Sequence, residues 1–177
     1  MGQNLIYDIV QDNRKSEERH FIGLPPLFSS VIAITYSPFD IYPLNDDKEL
    51  SNRIIDYEYC GLLKHEFVLK NIKDRVETLS SNIELALSRT TDFIDRLWQK
   101  MMEKVFSEGR LDSIFSNPPM RTKVDKDKLM NLYQNCSSGE TIYLESVTAI
   151  LAKIRLNSIL LIDEPEQHLH PTGINML

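Results

Sequence analysis

The sequence predicts an α/β protein with a parallel β-sheet, and three features lead to that prediction. Residues 31–36 form a short, apolar, β-branched run that ends before Ser37-Pro38, a pattern typical of a buried strand. Residues 158–162 (SILLI) form a second apolar run of strand length. An apolar helical pattern over residues 142–154 leads into that run, and helices of this length join parallel strands in βαβ units.

Length and composition limit the class of protein. A chain of 177 residues suits one domain with its own core, and 42% apolar with 26% charged residues is ordinary for a globular protein. The net charge of −6 argues against a surface devoted wholly to nucleic acid, although it allows a local basic patch. No apolar run reaches the roughly 18 residues of a membrane span, and the N-terminus lacks a secretory pattern. Cys60 and Cys136 form no CxxC motif, so we expect a cytoplasmic protein with no disulfide framework and no zinc site.

The first third of the chain predicts one helix and two strands. Apolar residues recur at helical spacing over residues 3–11, where we expect a helix. The strand at 31–36 follows a polar, proline-containing loop, and a second strand is expected near residues 54–59.

The middle of the chain is predicted to be helical. Apolar residues step by three and four from Leu69 onward, and Ser81 with Glu84 fits a capping box, which predicts two helices near residues 62–79 and 82–108. Gly109 is the expected stop. A short amphipathic helix is expected over 125–135.

Residues 137–140 (SSGE, called the signature turn below) precede the apolar helix. The free backbone N–H groups and hydroxyls of such a turn at a helix N-terminus suit a terminal phosphate, and Gly139 allows close approach. The same Ser-x-x-Glu spacing is also an ordinary capping box.

Asp163 and Glu164 come directly after the strand at 158–162. Carboxylates at the tip of a buried strand can orient the water shell of Mg²⁺ and polarise an attacking water. The alternative is a plain strand end. Nearby, His168 and His170 could be a surface pair or, with Glu166, a metal site.

Two stretches carry a resemblance to a known family. Residues 136–140 (CSSGE) resemble the LSGGQ-type signature of ABC ATPases, with Cys for the leading Leu and Glu for Gln. Residues 161–171 (LIDEPEQHLHP) resemble the Walker B and D-loop stretch of the SMC-like, OLD-related ABC ATPases of bacteria, which include the ATPases of retron- and Septu-type anti-phage systems. Residues 31–43 resemble the strand and loop after the first helix of these proteins, less specifically.

The resemblance implies a P-loop NTPase fold of ABC-ATPase type with an inserted helical arm. It implies ATP and Mg²⁺ as cofactors and a homodimer that closes around two ATP molecules. It also implies a partner effector, a nuclease or toxin, in anti-phage defence or DNA repair; DNA or RNA binding is possible and a membrane is not involved. The implied segments are 1–61 (ATPase core), 62–110 (helical arm) and 111–177 (signature helix and Walker B lobe).

The resemblance assigns a role to each site residue. Asp163 would help hold Mg²⁺, and Glu164 would be the general base or water-positioning carboxylate. The remaining residues are nucleotide contacts in the signature turn and the D-loop that communicates across the dimer: Ser137, Ser138, Gly139, Glu140, Glu166, His168 and His170.

A Walker A motif is missing from the sequence. None of the six glycines belongs to a Gly-x-x-x-x-Gly-Lys-Ser/Thr stretch, so the cradle for the α- and β-phosphates is absent. We expect either a fragment of a longer ATPase or a degenerate one, and we expect these residues alone to be inactive. Two other readings stay open, a catalytically inactive ABC-like interaction module and a metal-dependent nuclease component.

Overall fold

The computed structural model describes residues 28–37, 42–45, 55–65, 68–88, 92–107, 109–117, 121 and 123–163. These residues form an α/β protein, as the sequence predicts. The strands are β1 (Ser30–Thr35), β2 (Asp56–Gly61), β3 (Leu63–His65), β4 (Val68–Leu69) and β5 (Ser158–Ile162). The helices are α1 (Ile72–Ser88), α2 (Asp92–Met102), a 3-10 turn (Asp112–Ile114), α3 (Lys126–Gln134) and α4 (Ser138–Lys153). The helix expected at residues 3–11 lies outside the described residues.

The chain forms two compact units. The described part of the sheet unit contains all five strands, and the described part of the helical unit runs from residue 70 to residue 153 and contains all four α-helices. The expected division into 1–61, 62–110 and 111–177 stays a prediction. Within the described ranges, no helix combines the length and apolar character needed to cross a membrane.

A three-stranded parallel sheet with the order β2-β1-β5 is the centre of the sheet unit. The strands expected at 31–36 and 158–162 are confirmed, and the one expected near 54–59 lies two residues further along. All six residues of β1 are buried, because this strand has a neighbour on each side and an apolar, β-branched sequence. Val31 and Ala33 pack with Tyr57, Tyr59 and further apolar side chains on one face of the sheet.

The start of the predicted helix at 62–79 is wrong. Residues 63–65 and 68–69 form a short antiparallel hairpin instead, and the helix α1 begins only at Ile72. Asn71 is at the helix start, where its Oδ1 accepts from the N–H of Asp74 at 2.9 Å. A local cap at Asn71 therefore sets the beginning of α1, which the apolar periodicity from Leu69 placed too early.

The predicted break between the two middle helices is also in the wrong place. Ser81 lies inside α1, and its hydroxyl donates to the carbonyl of Glu77 at 3.1 Å instead of capping a new helix. The other member of the expected capping box, Glu84, accepts from the N–H of Val124 at 3.0 Å. Because the Glu84 carboxylate binds Val124 instead of capping a helix start at Ser81, α1 continues to Ser88.

The helical unit packs around one large aromatic side chain. Trp98 of α2 is 2% exposed, stands edge-on to Phe115 with ring centroids 6.2 Å apart, and donates from Nε1 to the hydroxyl of Thr148 at 3.1 Å. This contact ties α2 to α4, while α4 also packs along α1. The short helix predicted at 125–135 is confirmed as α3, with Asp125 as its N-cap.

Candidate functional site

The parallel sheet brings the carboxyl ends of three strands to one edge. β1 ends at Thr35, whose register partner on β2 is Gly61. On the other side, Ile34 pairs with Ile162, so Asp163 follows level with Thr35. This is the edge of a parallel α/β sheet at which ligands bind.

Asp163 places a carboxylate at that edge. Its backbone N–H donates to the carbonyl of Ile34 at 3.0 Å, which extends the sheet by one bond and fixes the residue's position. Asp163 itself is exposed. An exposed carboxylate on a rigid strand end is compatible with Mg²⁺, which keeps several waters and takes one or two protein carboxylates.

Thr35 lies level with Asp163 at the end of β1, and Ser37 follows two residues later. Thr35 is 1% exposed, and its hydroxyl accepts from the N–H of Ser37 at 3.4 Å. The sequence indicated the strand and its Ser-Pro ending without assigning either hydroxyl to a site. The alignment of Thr35 with Asp163 has no local signal, because the register of two strands distant in sequence creates it.

The signature turn forms a complete capping box at the start of α4. The N–H of Glu140 donates to the hydroxyl of Ser137 at 3.2 Å, and the N–H of Ser137 donates to Oε2 of Glu140 at 2.7 Å. The N–H of Thr141 reaches the carbonyl of Ser137 at 3.0 Å. The reciprocal bonds explain why the helix begins at Ser138.

The same geometry leaves two N–H groups available. Ser138 and Gly139 occupy the first helical positions, where N–H groups have no intrahelical acceptor. Neither N–H donates to another of the described residues. Ser137 and Ser138 are exposed, so a hydroxyl and two N–H donors face solvent at the positive end of a helix dipole.

Arg110 holds the signature turn from outside α4. Its Nη1 donates to Oε1 of Glu140 at 2.7 Å, and its Nη2 donates to the carbonyl of Asn135 at 3.2 Å. The guanidinium carbon lies 5.3 Å from the ring centroid of Phe106, a cation–π contact that orients it. Sequence reasoning missed this residue, because an Arg after a loop glycine carries no motif.

Hydrogen bonds and charge shift the ionisation of two groups in this region. The pKa of Glu140 is lowered, mainly by the N–H of Ser137 and further by Arg110, so its carboxylate is ionised at neutral pH. Burial raises the pKa of Cys136, and the positive charge of Arg110 partly opposes that rise. The signature turn thus contains an ionised carboxylate paired with Arg110, and the residue before it, Cys136, carries a thiol whose proton is held more tightly than usual.

The structure groups some of the expected site residues. Ser137, Ser138, Gly139 and Glu140 lie together in the helical unit, and Asp163 lies at the carboxyl edge of the sheet unit. Four expected residues lie outside the described part of the chain: Glu164, Glu166, His168 and His170. Among the described residues, no three His, Cys, Asp or Glu side chains group as metal ligands.

The described residues thus form an α/β protein. The carboxyl edge of its parallel sheet is the place where ligands bind in proteins of this class. The chain is similar to Protein ea59 of Escherichia phage lambda, with 29% identity over an alignment of 191 positions. The alignment covers 96% of this chain and 35% of ea59, so the chain spans about a third of the length of this relative. No protein-family profile matches the chain, and no solved structure matches it significantly.

Proposed function

We propose that this chain is part of an ATP-binding and ATP-hydrolysing head of ABC type, a P-loop NTPase variant with a helical arm. The observation that carries the proposal is the exposed carboxylate of Asp163 at the carboxyl edge of a parallel sheet. The helix that leads into its strand begins with N–H groups free for an anion. A phosphate-facing helix start and a strand-end carboxylate are the parts that phosphoryl-transfer sites share.

Each group has a separate task in this proposal. Asp163 orients Mg²⁺, and Glu164 positions and polarises the attacking water. The N–H groups of Ser138 and Gly139, with the Ser138 hydroxyl, contact the γ-phosphate of ATP held by the partner head. The carboxylate of Glu140 makes no nucleotide contact in this scheme, because the cap and Arg110 already engage both of its oxygens.

ATP turnover by the complete natural protein tests this proposal. Glu164→Gln should lower kcat about 100-fold or more, the usual effect of losing a group that acts on the attacking water. Glu103→Gln is the matched control, since Glu103 is an exposed carboxylate on the turn after α2. A wild-type protein without ATP turnover, or a Glu164→Gln variant with unchanged turnover, contradicts the ATPase proposal.

The dimer and its partners follow from the resemblance described above. We infer a cytoplasmic homodimer that sandwiches ATP and gates an effector nuclease or toxin in anti-phage defence or DNA repair, with DNA or RNA as a further ligand. Light scattering on the Glu164→Gln protein should show a dimer with ATP and Mg²⁺ and a monomer without nucleotide. A protein whose mass does not change with ATP contradicts the sandwich.

A catalytically inactive interaction module is the second candidate. The helical unit exposes large apolar side chains, with Phe93 of α2 63% exposed and Leu85 of α1 44% exposed. Apolar side chains exposed in this way occur at protein-binding surfaces. Phe93→Ser should then abolish partner binding in a protein that neither binds nor hydrolyses ATP, whereas an active ATPase excludes this candidate.

A further inference from the structure

A carboxylate next to a phosphate contact is an electrostatic problem. Glu140 is only one residue beyond Gly139, and its negative charge lies on the same first turn of α4 as the N–H groups that face solvent. The phosphate oxygens of ATP are also negative, so an unpaired Glu140 opposes their approach. Its charge must therefore be balanced for the signature turn to hold an anion.

Arg110 balances the charge of Glu140 through a direct contact between the two side chains. The Nη1–Oε1 distance of 2.7 Å makes the contact a charge-assisted hydrogen bond, and the side chains are 30% and 23% exposed. One carboxylate oxygen of Glu140 accepts from Arg110, and the other accepts from the N–H of Ser137. The pair thus neutralises the carboxylate without breaking the cap.

Arg110 also fixes the chain just before the signature turn. Its Nη2 donates to the carbonyl of Asn135 and lies 3.7 Å from Sγ of Cys136. The ring of Phe106 restricts the guanidinium from the other side. One side chain therefore couples the end of the 135–136 segment to the first turn of α4.

We propose that Arg110 is a positioning residue for nucleotide binding at the signature turn, which it serves by neutralising Glu140 and orienting the N–H groups of Ser138 and Gly139 toward phosphate. The inference rests on the ATPase function proposed above. Arg110 itself touches no nucleotide in this scheme, and it acts through Glu140.

ATP turnover and ATP-dependent dimerisation of the complete protein test the inference with paired substitutions. Arg110→Met should lower kcat about tenfold or more, because a like charge then faces the phosphate. Glu140→Gln should stay within about threefold of wild type, since Gln also completes a capping box. The double variant should recover most of the loss, because it removes the charge that Arg110 balances.

Salt and a conservative variant separate this role from a purely structural one. Added salt should raise the activity of Arg110→Met relative to wild type, because salt screens the repulsion. Arg110→Lys should retain most activity, because it keeps the charge while losing the forked contact. Lys126→Met is the matched control, since Lys126 pairs with the carboxylate of Glu77 in the helical unit and both side chains are more than half exposed.

The outcomes distinguish this inference from the function on which it rests. A wild-type protein without ATP turnover overturns the ATPase proposal and this inference together. An active wild type with an unaffected Arg110→Met variant overturns only the role of Arg110. If Arg110→Met is inactive and Glu140→Gln does not restore it, Arg110 is structural. Arg110→Gln, which also removes the charge, supplies the same comparison if the Met variant does not fold.

Discussion

Arg75 of α1 grips the carboxylate of Glu145 on α4 with two hydrogen bonds, from Nε to Oε1 at 3.0 Å and from Nη2 to Oε2 at 2.7 Å. The hydroxyl of Tyr133 on α3 donates to the same Oε1 at 2.7 Å, and the guanidinium carbon lies 5.5 Å from the Tyr133 ring centroid. Three helices meet at one carboxylate. The helical unit that carries the signature turn therefore depends on this cluster, called the Glu145 cluster below.

Removing the cation of the Glu145 cluster should destabilise the protein. Arg75→Met leaves a carboxylate that is only 14% exposed without its charged partner, so we expect a loss of about 2–3 kcal/mol in the free energy of unfolding. Urea unfolding followed by Trp98 fluorescence measures it. Lys126→Met is the control, because the Lys126–Glu77 pair is more than half exposed and should contribute less than about 1 kcal/mol. Equal losses for both variants contradict the prediction.

The Glu145 cluster should also make stability sensitive to alkaline pH. Burial raises the pKa of Tyr133 above its ordinary value of 10, and the negative charge of Glu145 raises it further. The folded state thus holds this proton more tightly than the unfolded state, so the stabilisation is complete below pH 10 and is lost as the pH rises above it.

Tyr133→Phe tests the alkaline effect. The variant removes the titrating hydroxyl, so its free energy of unfolding should fall less steeply between pH 9 and about pH 11 than that of the wild type. Tyr143→Phe is a useful comparison, because burial raises the pKa of Tyr143 and its hydroxyl donates to the carbonyl of Met101 at 3.2 Å. Identical slopes for wild type and Tyr133→Phe exclude the role of Tyr133.

The capping box of α4 should weaken in acid. The pKa of Glu140 lies below its ordinary value of 4.5, because the N–H of Ser137 stabilises the ionised form. The resulting stability is present above pH 4.5 and is lost as the pH falls through the lowered folded-state pKa. The Glu140→Gln variant should show a smaller acid loss than the wild type in urea unfolding between pH 6 and about pH 3. An unchanged acid slope contradicts this.

A side chain at Gly61 should disrupt the carboxyl edge of the sheet. A Cβ there would lie 2.8 Å from the carbonyl oxygen of Thr35 and 2.3 Å from the hydroxyl of Tyr59. We expect Gly61→Ala to cost about 1–3 kcal/mol through overpacking. Gly109→Ala serves as a comparison, because that site has open space and only a positive φ of 76° to strain the backbone. Thermal unfolding measures both, and a smaller loss at Gly61 than at Gly109 is the contrary result.

Local patterns were enough to predict the parallel α/β class and several elements. The apolar, β-branched run near residues 31–36 and the SILLI run at 158–162 are both strands, the first buried and the second half-buried, because strands packed against neighbours favour such residues in any fold. The Ser137–Glu140 spacing predicted a helix start, since all groups of a capping box lie within four residues. These features depend only on neighbours in the chain, so the sequence alone determined them.

Tertiary structure decided the features that depend on distant partners. Ser81 and Glu84 have the same capping spacing as Ser137 and Glu140. The Glu84 carboxylate, however, accepts from the N–H of Val124, and the helix continues past Ser81. The placement of Asp163 level with Thr35 follows from strand register, and the Arg110–Glu140 pair joins residues thirty positions apart. Periodicity and spacing carry no information on which distant donor reaches a given acceptor. Only the packed chain brings those atoms within hydrogen-bonding distance.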